Sequence, residues 1–151
     1  KKKIKKIYEK ANKNKCKILI PEDCMVGSSL DSYGIKKDLN AIEDNDIILD
    51  IGPKTIISIK NIIDHSNTIL WNGPAGYFEN ENFMIGTMSI AENISKNTVK
   101  KSLISILGGG DTLAAINKSK NKLSFTHLST AGGAFLEYLE GKDLPGLSVL
   151  K

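Results

Sequence analysis

The chain has 151 residues, 40% of them hydrophobic and 25% charged, with 13 glycines, 4 prolines, 2 cysteines and a formal net charge of +4. This length and apolar content suit one domain of ordinary size with a real core, and they exclude collagen, disulfide scaffolds and wholesale disorder.

Residues 1–14 read as an amphipathic helix, with Ile4, Ile7, Tyr8 and Ala11 at helical spacing and lysines on the other face. Residues 1–17 hold nine of the 21 basic residues against one acid, Glu9, and all 21 are lysines. A basic helix can serve nucleic acid or a membrane surface. The arginines and stacking aromatics that accompany such binding are missing, so a solvated outer helix is expected, with no nucleic-acid and no membrane partner. The basic start lacks the apolar stretch of a signal peptide, and no apolar run approaches the roughly 18 residues of a membrane span. Cys16 and Cys24 are too few and too loosely spaced for a zinc site or a staple framework. A soluble protein of a reducing compartment, cytoplasmic, is the expectation.

Short β-branched runs follow at 17–20, 46–51, 67–71, 102–107 and 124–128. Helical patterns lie near 53–63, 83–95, 111–118 and 133–140. This alternation predicts an α/β fold: a doubly wound, Rossmann-like parallel sheet in three layers, with helices on both faces. Right-handed crossovers place the C-terminal ends of such strands on one edge, where ligands bind. Residues 21–45 break the pattern as a polar excursion with Gly27 and Gly34, consistent with a minor hairpin.

Three strand ends run into glycine-containing loops. In Leu107-Gly108-Gly109-Gly110-Asp111-Thr112, glycines remove side chains at a tight turn and bare N–H groups at the positive end of a helix, which suits phosphate. It matches neither the Walker A pattern nor the dinucleotide fingerprint. Asp111 would repel a polyphosphate unless it faces a Mg²⁺ that bridges to it; the plainer alternative is that Asp111 caps the helix. Ser129-Thr130-Ala131-Gly132-Gly133 opens a second helix in the same manner. In Trp71-Asn72-Gly73-Pro74-Ala75-Gly76-Tyr77-Phe78-Glu79, Asn72 can donate to a phosphate and Glu79 can accept from a ribose diol. Ile48, Leu49 and Pro74 offer apolar walls for a base. An ordinary loop anchored by a buried Trp is the alternative here.

His65 suits a helix C-terminus, and His127, inside an apolar strand, is expected as a core imidazole. No Ser-His-Asp or Cys-His order is visible, and Ser129 has no evident base.

These loops, with Asp50 through Thr55, Leu139 through Gly146 and Leu19-Ile20-Pro21-Glu22-Asp23, resemble phosphoglycerate kinases from about residue 17 to the end. The resemblance implies two α/β domains facing across a cleft, one holding 3-phosphoglycerate and the other Mg-ADP or Mg-ATP. Residues 1–151 would be the later part of the C-terminal nucleotide-binding domain, without the N-terminal substrate domain. It implies reversible phosphoryl transfer between 1,3-bisphosphoglycerate and Mg-ADP in glycolysis, by an enzyme that is a monomer when full length. Glu79 would contact the ribose and Asn72 the phosphate chain. Gly109, Gly110, Asp111 and Thr112 would line the phosphates, with Asp111 towards Mg²⁺. Backbone donors around Gly109, Gly132 and Gly133 would meet the transferring phosphoryl. The sequence departs from the family pattern at Ala131, where a glycine is usual, and at Phe135, where a serine is common. Lacking a substrate domain, the chain alone is expected to be inactive; a non-catalytic Mg-nucleotide-binding module is the alternative.

Overall fold

The computed structural model describes residues 1–150. Helix α1, Lys2–Lys13, forms as its spacing demands, yet it buries no residue, and Ile4 and Ile7 stay more than half exposed. It is a solvated helix. No helix among the described residues is long and apolar enough to cross a membrane.

Residues 17–20, expected as a strand, form none. Ile18 and Ile20 are exposed, while Leu19 lines an apolar groove with Ile59, Ile63, Ile69 and Trp71. β-branched composition marks a segment that suits a sheet; a strand exists only where an edge is present to satisfy its N–H and C=O groups.

The first strand instead lies inside the excursion. Strand β1, Asp23–Gly27, pairs antiparallel with β2, Ile35–Asp38, and with β3, Ile47–Ile51, giving the order β2-β1-β3. The β1–β2 pair is the expected hairpin. The strand alternation places β3 in the parallel sheet, whereas it runs antiparallel beside β1; an apolar run carries no information about which neighbour it meets or in which direction.

Helix α2, Pro53–Asp64, starts with proline at its first position, where the missing N–H has no helical partner to lose. His65 caps its C-terminal end, with Nδ1 2.7 Å from Asn61 O. The parallel sheet comprises β4, Thr68–Asn72, β5, Ile104–Gly108, and β6, His127–Ser129, in the order β4-β5-β6. Helix α3, Ile85–Lys101, connects the first two strands and α4, Gly110–Asn117, follows β5. Helices α5, Gly133–Leu139, and α6, Pro145–Ser148, end the described chain.

This is an α/β fold with helices flanking the parallel sheet. On one face Leu107 packs with Ala91 of α3 and Ile116 of α4, beside a second cluster of Ile63, Ile90, Ile94 and Leu103; Trp71 touches both. On the other face Phe135 of α5 lies against Gly108, while Leu70 and Ile104 stay exposed. His127 is exposed as well, not a core imidazole. β6 is a three-residue edge strand with a neighbour on one side only, so its alternation does not translate into burial.

Candidate functional site

The register of the parallel sheet aligns Asn72, Gly108 and Ser129, so the three glycine-containing loops leave from one edge. Hydrogen bonds then knit them together. Gly109 N donates to Ser129 O at 3.2 Å and to Ala131 O at 3.1 Å, and the Asn72 amide reaches Gly132 O at 3.4 Å. Gly109 has φ +96°, a conformation that favours glycine, and a Cβ there would crowd Asn72 Oδ1 at 3.1 Å. Ala131 is not among the residues with positive φ, so its replacement of a glycine costs no backbone strain.

The loop from Gly73 to Glu79 is pinned along its length. Thr112, fully buried in the first turn of α4, accepts from Gly73 N at 2.8 Å. Thr87 in the first turn of α3 accepts from Ala75 N at 3.0 Å and Gly76 N at 3.3 Å. Tyr77 N donates to Leu49 O at 2.7 Å, and Lys118 Nζ donates to Phe78 O at 3.0 Å and Glu79 O at 3.3 Å. Trp71 Nε1 donates to Gly73 O at 2.7 Å, so the tryptophan anchors the loop while only partly buried. Thr87 and Lys118 were not singled out in the sequence. Each sits near a helix end, but their partners are 11 and 40 residues away, a relation that no local pattern encodes.

Two helix starts at this edge are open. The residue capping α4 is Gly109, without a side-chain hydrogen bond, and α5 is likewise capped by Gly132 without one. The first ladder bonds are Leu113 N to Gly109 O and Leu136 N to Gly132 O, so the preceding helical N–H groups have no partner within the helix. Such groups favour an anion. The N–H of Gly109, expected to face a phosphate, is instead taken up by the neighbouring loop. Asp111 is exposed in the first turn and does not cap the helix. The described residues contain no group of three His, Cys, Asp or Glu able to cage a metal. One free carboxylate beside an open helix start fits a Mg²⁺, an ion that usually keeps several waters and is completed by phosphate oxygens.

Ile48, Leu49 and Pro74 meet as the sequence suggests, lining a cavity of about 330 Å³ with Ala75, Gly76 and Tyr77. Asp50 borders the same cavity. Burial pushes its carboxyl up to about 6, although Gly86 N and Ile51 N both donate to it at 2.8 Å. Glu79 lines a different cavity, of about 660 Å³, with Met84, Met88, Glu92 and Lys118. The candidate residues therefore occupy three adjoining patches joined by the Gly73–Glu79 loop, rather than one enclosed cavity. Asp111 and Glu79 are associated with opposite ends of α4.

A model of the phosphoglycerate kinase family matches residues 1–142. The chain belongs to the phosphoglycerate kinase family. It is 48% identical over 143 residues to a phosphoglycerate kinase of Wolbachia pipientis subsp. Culex pipiens (strain wPip), covering 93% of this chain and 36% of that protein. It is 43% identical over 150 residues to one from Bartonella quintana (strain Toulouse), covering 98% and 38%. The phosphoglycerate kinase structure from Coxiella burnetii superposes with a TM-score of 0.84 at 40% identity, covering 97% of this chain and 38% of that one. The phosphoglycerate kinase from Pyrococcus horikoshii OT3 gives 0.79 at 32% identity, covering 97% and 36%. The chain thus spans little more than a third of the length of the phosphoglycerate kinases it matches.

Proposed function

We propose that this chain is the later part of the nucleotide-binding domain of a phosphoglycerate kinase, which transfers phosphoryl reversibly between 1,3-bisphosphoglycerate and ADP in glycolysis. The observation that carries the reading is the pair of open helix starts, α4 and α5, stitched together at one sheet edge with the unpartnered Asp111 in the first turn of α4. In this reading the free N–H groups of α4 and α5 hold polyphosphate oxygens and the developing charge of the transferring group. Asn72 orients towards the phosphate chain, Ile48, Leu49 and Pro74 receive the base, and Glu79 accepts from the ribose. Asp111 would hold Mg²⁺, which when bound neutralises charge on the phosphate oxygens. No side chain acts as a nucleophile; the chain binds, orients and excludes water.

The 3-phosphoglycerate partner would be met by an N-terminal domain outside these residues. The full enzyme would be a cytoplasmic monomer. The same open helix starts support a second reading beside it, in which these residues by themselves bind Mg-nucleotide without catalysis. Calorimetry with ADP, with and without Mg²⁺, tests the site: wild type should bind more tightly with the metal, and Asp111→Asn should remove the difference. A coupled assay should detect no turnover by the 151 residues alone. Equal ADP affinity with and without Mg²⁺ in both proteins would remove the metal role from Asp111.

A further inference from the structure

We infer that Lys118 is a positioning residue for Glu79, fixing where the sugar end of the nucleotide site stands relative to its phosphate end; the inference rests on the nucleotide reading above. Lys118 closes the C-terminal end of α4, where a cation suits the helix dipole; its N–H donates to Ala115 O at 3.1 Å, and Ser119 N donates to Ile116 O at 3.0 Å. Its side chain leaves the helix and crosses to the Gly73–Glu79 loop. There Nζ donates to the carbonyls of Phe78 and Glu79 at 3.0 and 3.3 Å and stands 5.3 Å from the centroid of the Phe78 ring. Phe78 is 7% exposed, so the ammonium is held against a fixed wall.

At the opposite end of α4, the Thr112 hydroxyl holds Gly73 N at 2.8 Å. One helix therefore grips one loop at both of the loop's ends. From Thr112 to Lys118 the helix rises about 9 Å at 1.5 Å per residue. This rigid span separates the open N–H groups beside Asp111 from the point where the Glu79 side chain departs. Thr112 secures the phosphate end. Lys118, through charge-assisted bonds to the backbone, sets the direction in which the exposed Glu79 carboxylate projects. The lysine acts through the main chain of Glu79 and needs no contact with the nucleotide.

The test compares wild type, Lys118→Met, Lys118→Arg, Glu79→Gln and the Lys118→Met/Glu79→Gln double variant of this chain. Calorimetry uses Mg-ADP and, as a probe of the phosphate end alone, Mg-pyrophosphate. Amide exchange at residues 78–80 is followed in parallel. Lys118→Met should weaken Mg-ADP about tenfold, the scale of one charge-assisted hydrogen bond, and leave Mg-pyrophosphate unchanged. Lys118→Arg should restore most of the affinity, and Lys118→Met should add almost nothing in the Glu79→Gln background. Equal loss for both ligands, or additive effects in the double variant, overturns the inference. Should wild type bind pyrophosphate but not prefer ADP, the ribose role of Glu79 fails and the inference with it. Should it bind neither, the nucleotide reading of this chain fails separately. Amide exchange then judges the pin itself: faster exchange at residues 78–80 in Lys118→Met, reversed by Lys118→Arg, upholds it, and unchanged exchange overturns it.

Discussion

Helices α2 and α3 begin differently from α4 and α5. At α2 a carboxylate from a neighbouring strand meets the helix: Asp23, fully buried, accepts from Lys54 N at 3.0 Å and from Thr55 N and the Thr55 hydroxyl, both at 2.9 Å. At α3 the buried Asp50 takes Gly86 N at 2.8 Å, and a Cβ at Gly86 would collide with that carboxylate. The starts of α4 and α5 receive no side chain at all, although Asp111 is close enough in sequence to serve. A helix start that is already satisfied stabilises the fold; one left open at a sheet edge is available to an anion. Sequence around Asp111 suggests a cap and a ligand equally; in the structure Asp111 caps nothing.

The satisfied starts also differ from one another. Burial works against the charged form of Asp23, but donors from Thr55 and Lys54 outweigh it and hold the carboxyl below its usual range. Asp50 has fewer donors, one of them from the next residue, and burial wins. Removing Asp23 should therefore have the largest effect on stability. Asp23→Ala leaves two buried helix N–H groups without their acceptor, while the Thr55 hydroxyl keeps the carbonyl of residue 23 at 3.0 Å, and should cost about 2–4 kcal/mol in urea unfolding. Because its folded pKa is depressed, the contribution is present at neutral pH and lost as acid protonates the carboxyl below pH ~4. A loss under about 1 kcal/mol would show that the buried cap contributes no more than an exposed one.

Asp50 should behave in the opposite sense. Its folded value of about 6 lies above the 3.8 of the free side chain, so the folded state binds the proton more tightly. Stability is then greatest below pH ~4 and falls as pH rises to ~6, by up to about 3 kcal/mol from this group. Asp50→Asn should flatten that window while keeping an acceptor for Gly86 N; an unchanged pH profile would break the contrast with Asp23. A smaller effect is expected at the loop pin. Thr112→Val keeps the shape, strands Gly73 N and should cost about 1–2 kcal/mol in the same unfolding experiment. The smallest belongs to the open start: Asp111→Asn should change stability by less than about 0.5 kcal/mol. A larger loss would mean that Asp111 acts as a cap after all.

Much of the architecture, and the loops that meet at one sheet edge, could be read from the sequence by itself. Helical periodicity placed α1, α2, α3, α4 and α5, and strand runs ending in glycine located β4, β5, β6 and the loops that follow them. Those signals are local: side-chain spacing, a proline at a helix start and a glycine free to take positive φ. Tertiary structure alone decided that residues 17–20 pair with nothing, that β3 turns antiparallel beside β1, and that His127 faces outward, since pairing and burial depend on which neighbour occupies an edge. It also decided that Thr112 faces Gly73 and Lys118 crosses to Glu79, and that Asp23 and Asp50 close helices in other parts of the chain. Hydrogen bonds between residues 30 to 40 positions apart leave no periodicity to read; they exist only once the sheet has brought their partners together.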